Sequence, residues 1–97
     1  MENRNYLIIL YDYYSELLSE KQQQYFEDYY FNNLSLGEIS NNLNISRNAI
    51  HKVIKTVEEK LLFYEEKLNL YKKSKIIEEI IETIEDNNLK KKLKELL

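Results

Sequence analysis

Few side chains in this sequence could do chemistry, and one short run gathers most of them. Ser46, Arg47, Asn48, His51, Lys52 and Lys55 stand within ten positions of each other. At 3.6 residues per turn, positions 48, 51, 52 and 55 share one helix face, with 46 and 47 at its start. A guanidinium, an amide and two ammonium groups on one face suit phosphate contact and hydrogen bonding to base edges, arginine matching guanine and asparagine matching adenine. That chemistry is recognition. Catalysis lacks its parts: there is no cysteine and one histidine, His51, with no visible triad partner. The single glycine, Gly37, cannot make a phosphate-cradling loop. Glu58-Glu59, Glu65-Glu66 and Glu78-Glu79 look like carboxylate pairs, but helical neighbours point about 100° apart and cannot share a substrate. With one histidine and no thiol, no metal site is expected and no cofactor is implied. The chain reads as a binding protein and not an enzyme.

The elements that must position these residues are helices. The 97 residues contain no proline, 43% apolar side chains and 32% charged ones, enough for one core with little to spare. Apolar residues from Tyr6 to Leu18 recur at helical spacing and predict a first helix over about 5–18. Ser19 with Gln22, and Ser35 with Glu38, have the form of capping boxes that open a second and a third helix. Asn44 suits the left-handed turn after the third, and Ser46 caps the fourth. Residues 34–54, LSLGEISNNLNISRNAIHKVI, thus have the form of a helix-turn-helix. Ile39, Leu43, Ile45, Ile50 and Val53 would fill its mutual core, with Ser40 and Ala49 at the close approaches. No sustained period-two alternation appears, so the fold class is all-α.

From Ile54 the apolar positions run 54, 57, 61, 64, 68, 71, a heptad seam with no obvious stop. This predicts a long helix over 46–73, followed by a C-terminal helical tail over 74–97 for which Ser74 is a candidate cap. A seam of that length needs cover from the tyrosine-rich first helix, from the tail or from a second copy. Leu61, Tyr64, Leu68 and Tyr71 are therefore candidate homodimer contacts. The tyrosines at helical spacing, Tyr6, Tyr11, Tyr14, Tyr29 and Tyr30, read as core or interface residues.

Charge is unevenly spread. Residues 1–45 carry Arg4 and Lys21 against seven acids, net −5, whereas residues 46–97 carry twelve basic and ten acidic side chains, net +2. Duplex affinity rests largely on phosphate neutralisation, so an acidic module is penalised as a DNA binder. No apolar run approaches the ~20 residues that span a bilayer. The N-terminus lacks the form of a secretion signal, and the expected compartment is the cytoplasm.

The pieces LYDYY, LLSEKQ and YFEDYYFNNLSLGEIS, then ISRNAIHKVIK and YEEKL, together resemble the YlxM-like proteins of Gram-positive bacteria and mollicutes. The resemblance covers about residues 6–73. It implies a helix-turn-helix similar to region four of bacterial sigma factors. It also implies a regulatory or accessory role in the signal recognition particle pathway, with the particle's GTPase, its receptor or its RNA as partner. His51 and Lys52 depart from that pattern, where many relatives carry an aromatic residue and an acid, and make the exposed face more basic. Two other readings stand beside this one: a transcription regulator that reads DNA, and a helical scaffold whose helix-turn-helix packs against protein.

Overall fold

The structure is a computed structural model and describes Arg4–Leu97. Among the described residues it holds six α-helices and no strand: α1 (Arg4–Tyr14), α2 (Glu20–Tyr30), α3 (Leu36–Leu43), α4 (Arg47–Leu68), α5 (Leu70–Glu82) and α6 (Asn87–Lys94). It is elongated, 56 × 24 × 23 Å. Helices α1, α2 and α3 pack on α4, while α5 and α6 form an arm beyond its end.

Each sequence signal at the N-terminal joints has a physical counterpart. Ser19 Oγ accepts from Gln22 N at 3.1 Å while Gln22 Oε1 accepts from Ser19 N at 3.0 Å, so the box closes in both directions. The first helix ends sooner than expected, since Ser15–Leu17 tighten into a 3-10 turn. There Gln23 Nε2 donates to Ser15 O at 2.7 Å and to Leu18 O at 3.2 Å, taking up carbonyls that a continuing helix would use. At the far end of α2, Arg4 donates to the carbonyls of Tyr29 and Tyr30 at 2.8 and 2.9 Å. A cation at a helix C-terminus is favoured by the axial dipole.

The core is one cluster running from Leu7 to Leu61, and its centre is aromatic. Phe26 lies between the rings of Tyr11 and Tyr30, stacked at 4.5 and 4.3 Å. The hydroxyls of these tyrosines escape the apolar interior by donating to acids, Tyr11 to Glu27 and Tyr30 to Glu58. Burial, then the acidic partner, pushes both phenols well above the usual tyrosine range.

The long helix stops at Leu68, not near residue 73, and Ser74 lies inside α5 instead of capping it. Asn69 adopts φ 54°, ψ 31°, a left-handed conformation that ends α4 and starts α5 without a linker. The break is stabilised from a distance. Glu65, buried although charged, accepts from Tyr71 N and Lys72 N at 3.2 and 3.0 Å and from Tyr14 Oη at 2.6 Å. Tyr14 Oη in turn accepts from Leu70 N at 3.2 Å. Three amides of the first turn of α5 thus find partners, a cap assembled from α1 and α4. Burial, followed by the bond to Glu65, pushes the Tyr14 phenol up to about 12.

Candidate nucleic-acid interface

The helix-turn-helix is built by local hydrogen bonds around a tight turn. Ser35 and Glu38 form a reciprocal capping box at 3.0 Å each way, fixing the start of α3. Asn44 ends α3 at φ 54°, ψ 45°. Ser40 Oγ donates to Ile45 O at 2.5 Å, tying α3 across the turn. Ser46 Oγ then accepts from Ala49 N at 3.2 Å and opens α4. Ile39 and Ile50 are fully buried between the helices, and Leu43, Ile45 and Val53 pack half-buried around them. The register expected from the sequence is the register observed.

With Ile50 and Ile54 turned into the core, the opposite side of α4 faces outward. Ser46, Arg47, Asn48, His51, Lys52 and Lys55 are all exposed on the first three turns. Their donors bring three full positive charges and no acid to this strip. Arg47 does not point straight out: its guanidinium lies back over the first turn of α3. A methyl group placed on Gly37 would sit 3.9 Å from its Cζ, in ordinary van der Waals contact.

The face is wider than the six residues. Ser19, Lys21 and Gln22 at the start of α2 line, with Lys52, Val53 and Thr56, a shallow depression of about 270 Å³. Lys21 therefore extends the basic strip, its ammonium 5.7 Å from the Tyr25 ring. Nothing in local sequence placed Lys21 beside Lys52, because they stand 31 positions apart. Lys60, one turn beyond the strip, is half-buried.

The candidate dimer residues separate into two groups. Leu61 is fully buried within its own chain, which removes it from any surface. Tyr64 packs against the Tyr14 ring at 5.8 Å, and Tyr71 meets the rings of Tyr6 and Tyr13 at 6.0 Å each. The first helix covers those three positions, because its tyrosines run alongside the seam. Leu68 alone stays largely open, at 45% exposure. Among the described residues, no helix is long and apolar enough to cross a membrane.

Comparison with known proteins agrees with this architecture. The UPF0122 protein TTE1463 of Caldanaerobacter subterraneus subsp. tengcongensis is 47% identical over 81 residues, which cover 84% of this chain and 69% of that protein. The UPF0122 protein Teth514_1714 of Thermoanaerobacter sp. is 48% identical over 68 residues, 70% of this chain and 58% of its own length. The chain thus spans little more than half of that longer relative. The UPF0122 protein UU142 of Ureaplasma parvum serovar 3 is 42% identical over 99 residues, 99% of this chain and 100% of that protein. Residues 1–97 match the family described as helix-turn-helix proteins, YlxM / p13 like, and the chain belongs to that family.

Proposed function

We propose that this protein is a non-catalytic, cytoplasmic regulatory accessory of the signal recognition particle pathway, binding the particle's GTPase, its receptor or its RNA. The observation that carries the reading is a small basic recognition face on an acidic body. Ser46 to Lys55 offer phosphate and base-edge donors, yet residues 1–45 hold net −5. A ribonucleoprotein partner suits that division, because protein contacts can supply affinity that phosphate neutralisation alone would not. The placement in the pathway rests on the likeness to YlxM-like proteins.

Affinity capture from native lysate, with and without nuclease, tests it. The targeting GTPases or particle RNA should be recovered, and Arg47→Ala with Lys52→Ala should lower any nucleic-acid component and its salt slope. Recovery of neither would end this reading. A second reading, a regulator that reads DNA, is favoured by the exposure of all six candidate side chains on one face. Nuclease-sensitive recovery of defined DNA fragments would select it, and no shift of genomic fragments at low salt would remove it.

A further inference from the structure

Of four hollows on the described surface, three contain carboxylates and one does not. The groove at the α4–α5 joint holds Glu65, Glu66 and Glu79, the groove along α5 holds Glu78, Glu79 and Glu82, and the one beside Arg4 holds Glu38. The depression of about 270 Å³ between α2 and α4 is lined instead by Ser19, Lys21, Gln22, Lys52, Val53 and Thr56. Two cations share it with no acid.

The capping box decides which polar groups remain for a ligand. Its acceptors, Ser19 Oγ and Gln22 Oε1, are each taken by a backbone amide of the box. What remains is mainly donors: the ammonium groups of Lys21 and Lys52, the Gln22 side-chain amide, and the hydroxyls of Ser19 and Thr56. Gln22 N, at the start of α2, is itself used by Ser19, so the attraction comes from side chains and not from the helix end. Among the described residues the ion pairs are those of Glu82 with Lys90 and Lys94, so no carboxylate neutralises either lysine. Lys21 has only the softer contact of the Tyr25 ring, at 5.7 Å. Glu20, next to Lys21, and Glu59, further along α4, are exposed but line no part of the hollow.

A hollow of donors with two cations fits an anion that only accepts hydrogen bonds, and its position says which anion. Lys52 belongs both to the hollow and to the exposed strip from Ser46 to Lys55. It stands about 140° round α4 from Arg47 at roughly 100° per residue, with Asn48, His51 and Lys55 between them. The strip thus has a cationic edge on each side, Arg47 towards α3 and Lys52 with Lys21 towards α2. We infer that Lys21 and Lys52 form a shared seat for one backbone phosphodiester of the nucleic acid that the strip engages. The inference rests on the nucleic-acid component of the function proposed above. A phosphodiester carries one negative charge and no donor, and backbone contacts of this kind fix register without reading sequence. DNA and RNA both supply the group.

Fluorescence anisotropy of the full chain with a labelled DNA duplex and, in parallel, a labelled RNA hairpin, each over a salt series, tests the seat and separates the two sources. Whichever backbone binds, Lys21→Gln should weaken it alike on unrelated sequences, and Lys21→Arg should retain it. On B-form DNA, Lys21→Gln with Lys52→Gln should lower the slope of log affinity against log salt by about 0.9, the value for one phosphate. The two single changes should therefore be non-additive. Far-UV ellipticity should be unchanged, since Lys21, Lys52 and Thr56 are exposed. Thr56→Lys, which brings a third ammonium to the hollow, should raise affinity, a gain that misfolding cannot imitate. Unchanged affinity and slope for Lys21→Gln, while Arg47→Ala weakens binding, would overturn the seat and leave the recognition strip standing. A double-variant fall of about twice the one-phosphate value would mean two separate phosphates and overturn it equally. Binding of neither nucleic acid at low salt would remove seat and strip together.

Discussion

The α1–α4 body and the α5–α6 arm are both helical and both rich in apolar residues, yet they use those residues differently. Within the body, thirteen buried side chains from Leu7 to Leu61 form one cluster. Beyond Asn69, Ile81 is the buried apolar residue, and Ile76, Ile77 and Ile80 stay open. A stripe on a helix is an offer of burial, and a partner at the right distance must accept it. Three helices pack on α4, so its stripe is buried from Ile50 to Leu61. The arm is met by α1 and the end of α4 near its first turns and by α6 further along. Amphipathicity is the same in kind in both regions, and neighbourhood makes the difference.

Body and arm should differ most sharply in stability. Ile50→Ala, in the body, should cost roughly 2–5 kcal/mol, read from urea denaturation, because the cavity cannot fully collapse between packed helices. The matched Ile80→Ala, in the arm, should change the same transition by less than about 0.5 kcal/mol at monomer concentrations. Equal losses at the two sites would show that the arm is as well covered as the body.

The joint between the regions gives the next largest effect. Glu65→Ala strips an acceptor from Tyr14 Oη, Tyr71 N and Lys72 N at once, at about 1–3 kcal/mol for the groups left unmet. Hydrogen exchange should quicken in the first turn of α5 before it does in α1 or α2. Uniform quickening would mean that body and arm open as one unit.

Alkaline titration separates the regions differently. Tyr11, Tyr14 and Tyr30 all have phenols raised above their unfolded value of 10.0, Tyr14 to about 12. A raised phenol leaves stability fully present below pH 10, and loss follows as the unfolded chain ionises first. Stability should hold through neutral pH and fall as pH climbs from about 10 towards 12. Tyr14→Phe should flatten that fall, and a fall that begins near pH 8 would rule this origin out.

The smallest effect lies at the end of the arm. Glu82, fully exposed, is held below its ordinary carboxyl range by the hydrogen bond from Lys94 and then by Lys90. Its contribution is present above pH 4.5 and fades as pH falls through the lowered value. Glu82→Gln should leave the melting temperature unchanged within error, since exposed ion pairs contribute little. Limited proteolysis should nonetheless cut sooner between α5 and α6. A clear drop in melting temperature would show that α6 supports the body as well as the arm.

Much of the body is legible in the one-dimensional pattern. Ser19 with Gln22, Ser35 with Glu38, Asn44 and Ser46 act within four residues of where they stand, so their roles follow from spacing. The exposed face from Ser46 to Lys55 was readable for the same reason: burying Ile50 and Ile54 leaves those positions no other side. Lys21 beside Lys52, and Leu61 inside the core, were not readable, because each depends on how α2 and α1 cross α4.

Asn69 marks the boundary between the two kinds of information. Local sequence determined the helical class, the helix-turn-helix register and the basic face, because caps, turns and periodicity are short-range physics. It left the heptad seam running through residue 69 without a stop. The stop belongs to tertiary structure. A left-handed asparagine in mid-seam persists because Tyr14, 56 positions from Leu70, and Glu65 together supply the partners that the broken helix lost. Unsatisfied amides at a part-buried helix start would otherwise favour one continuous rod.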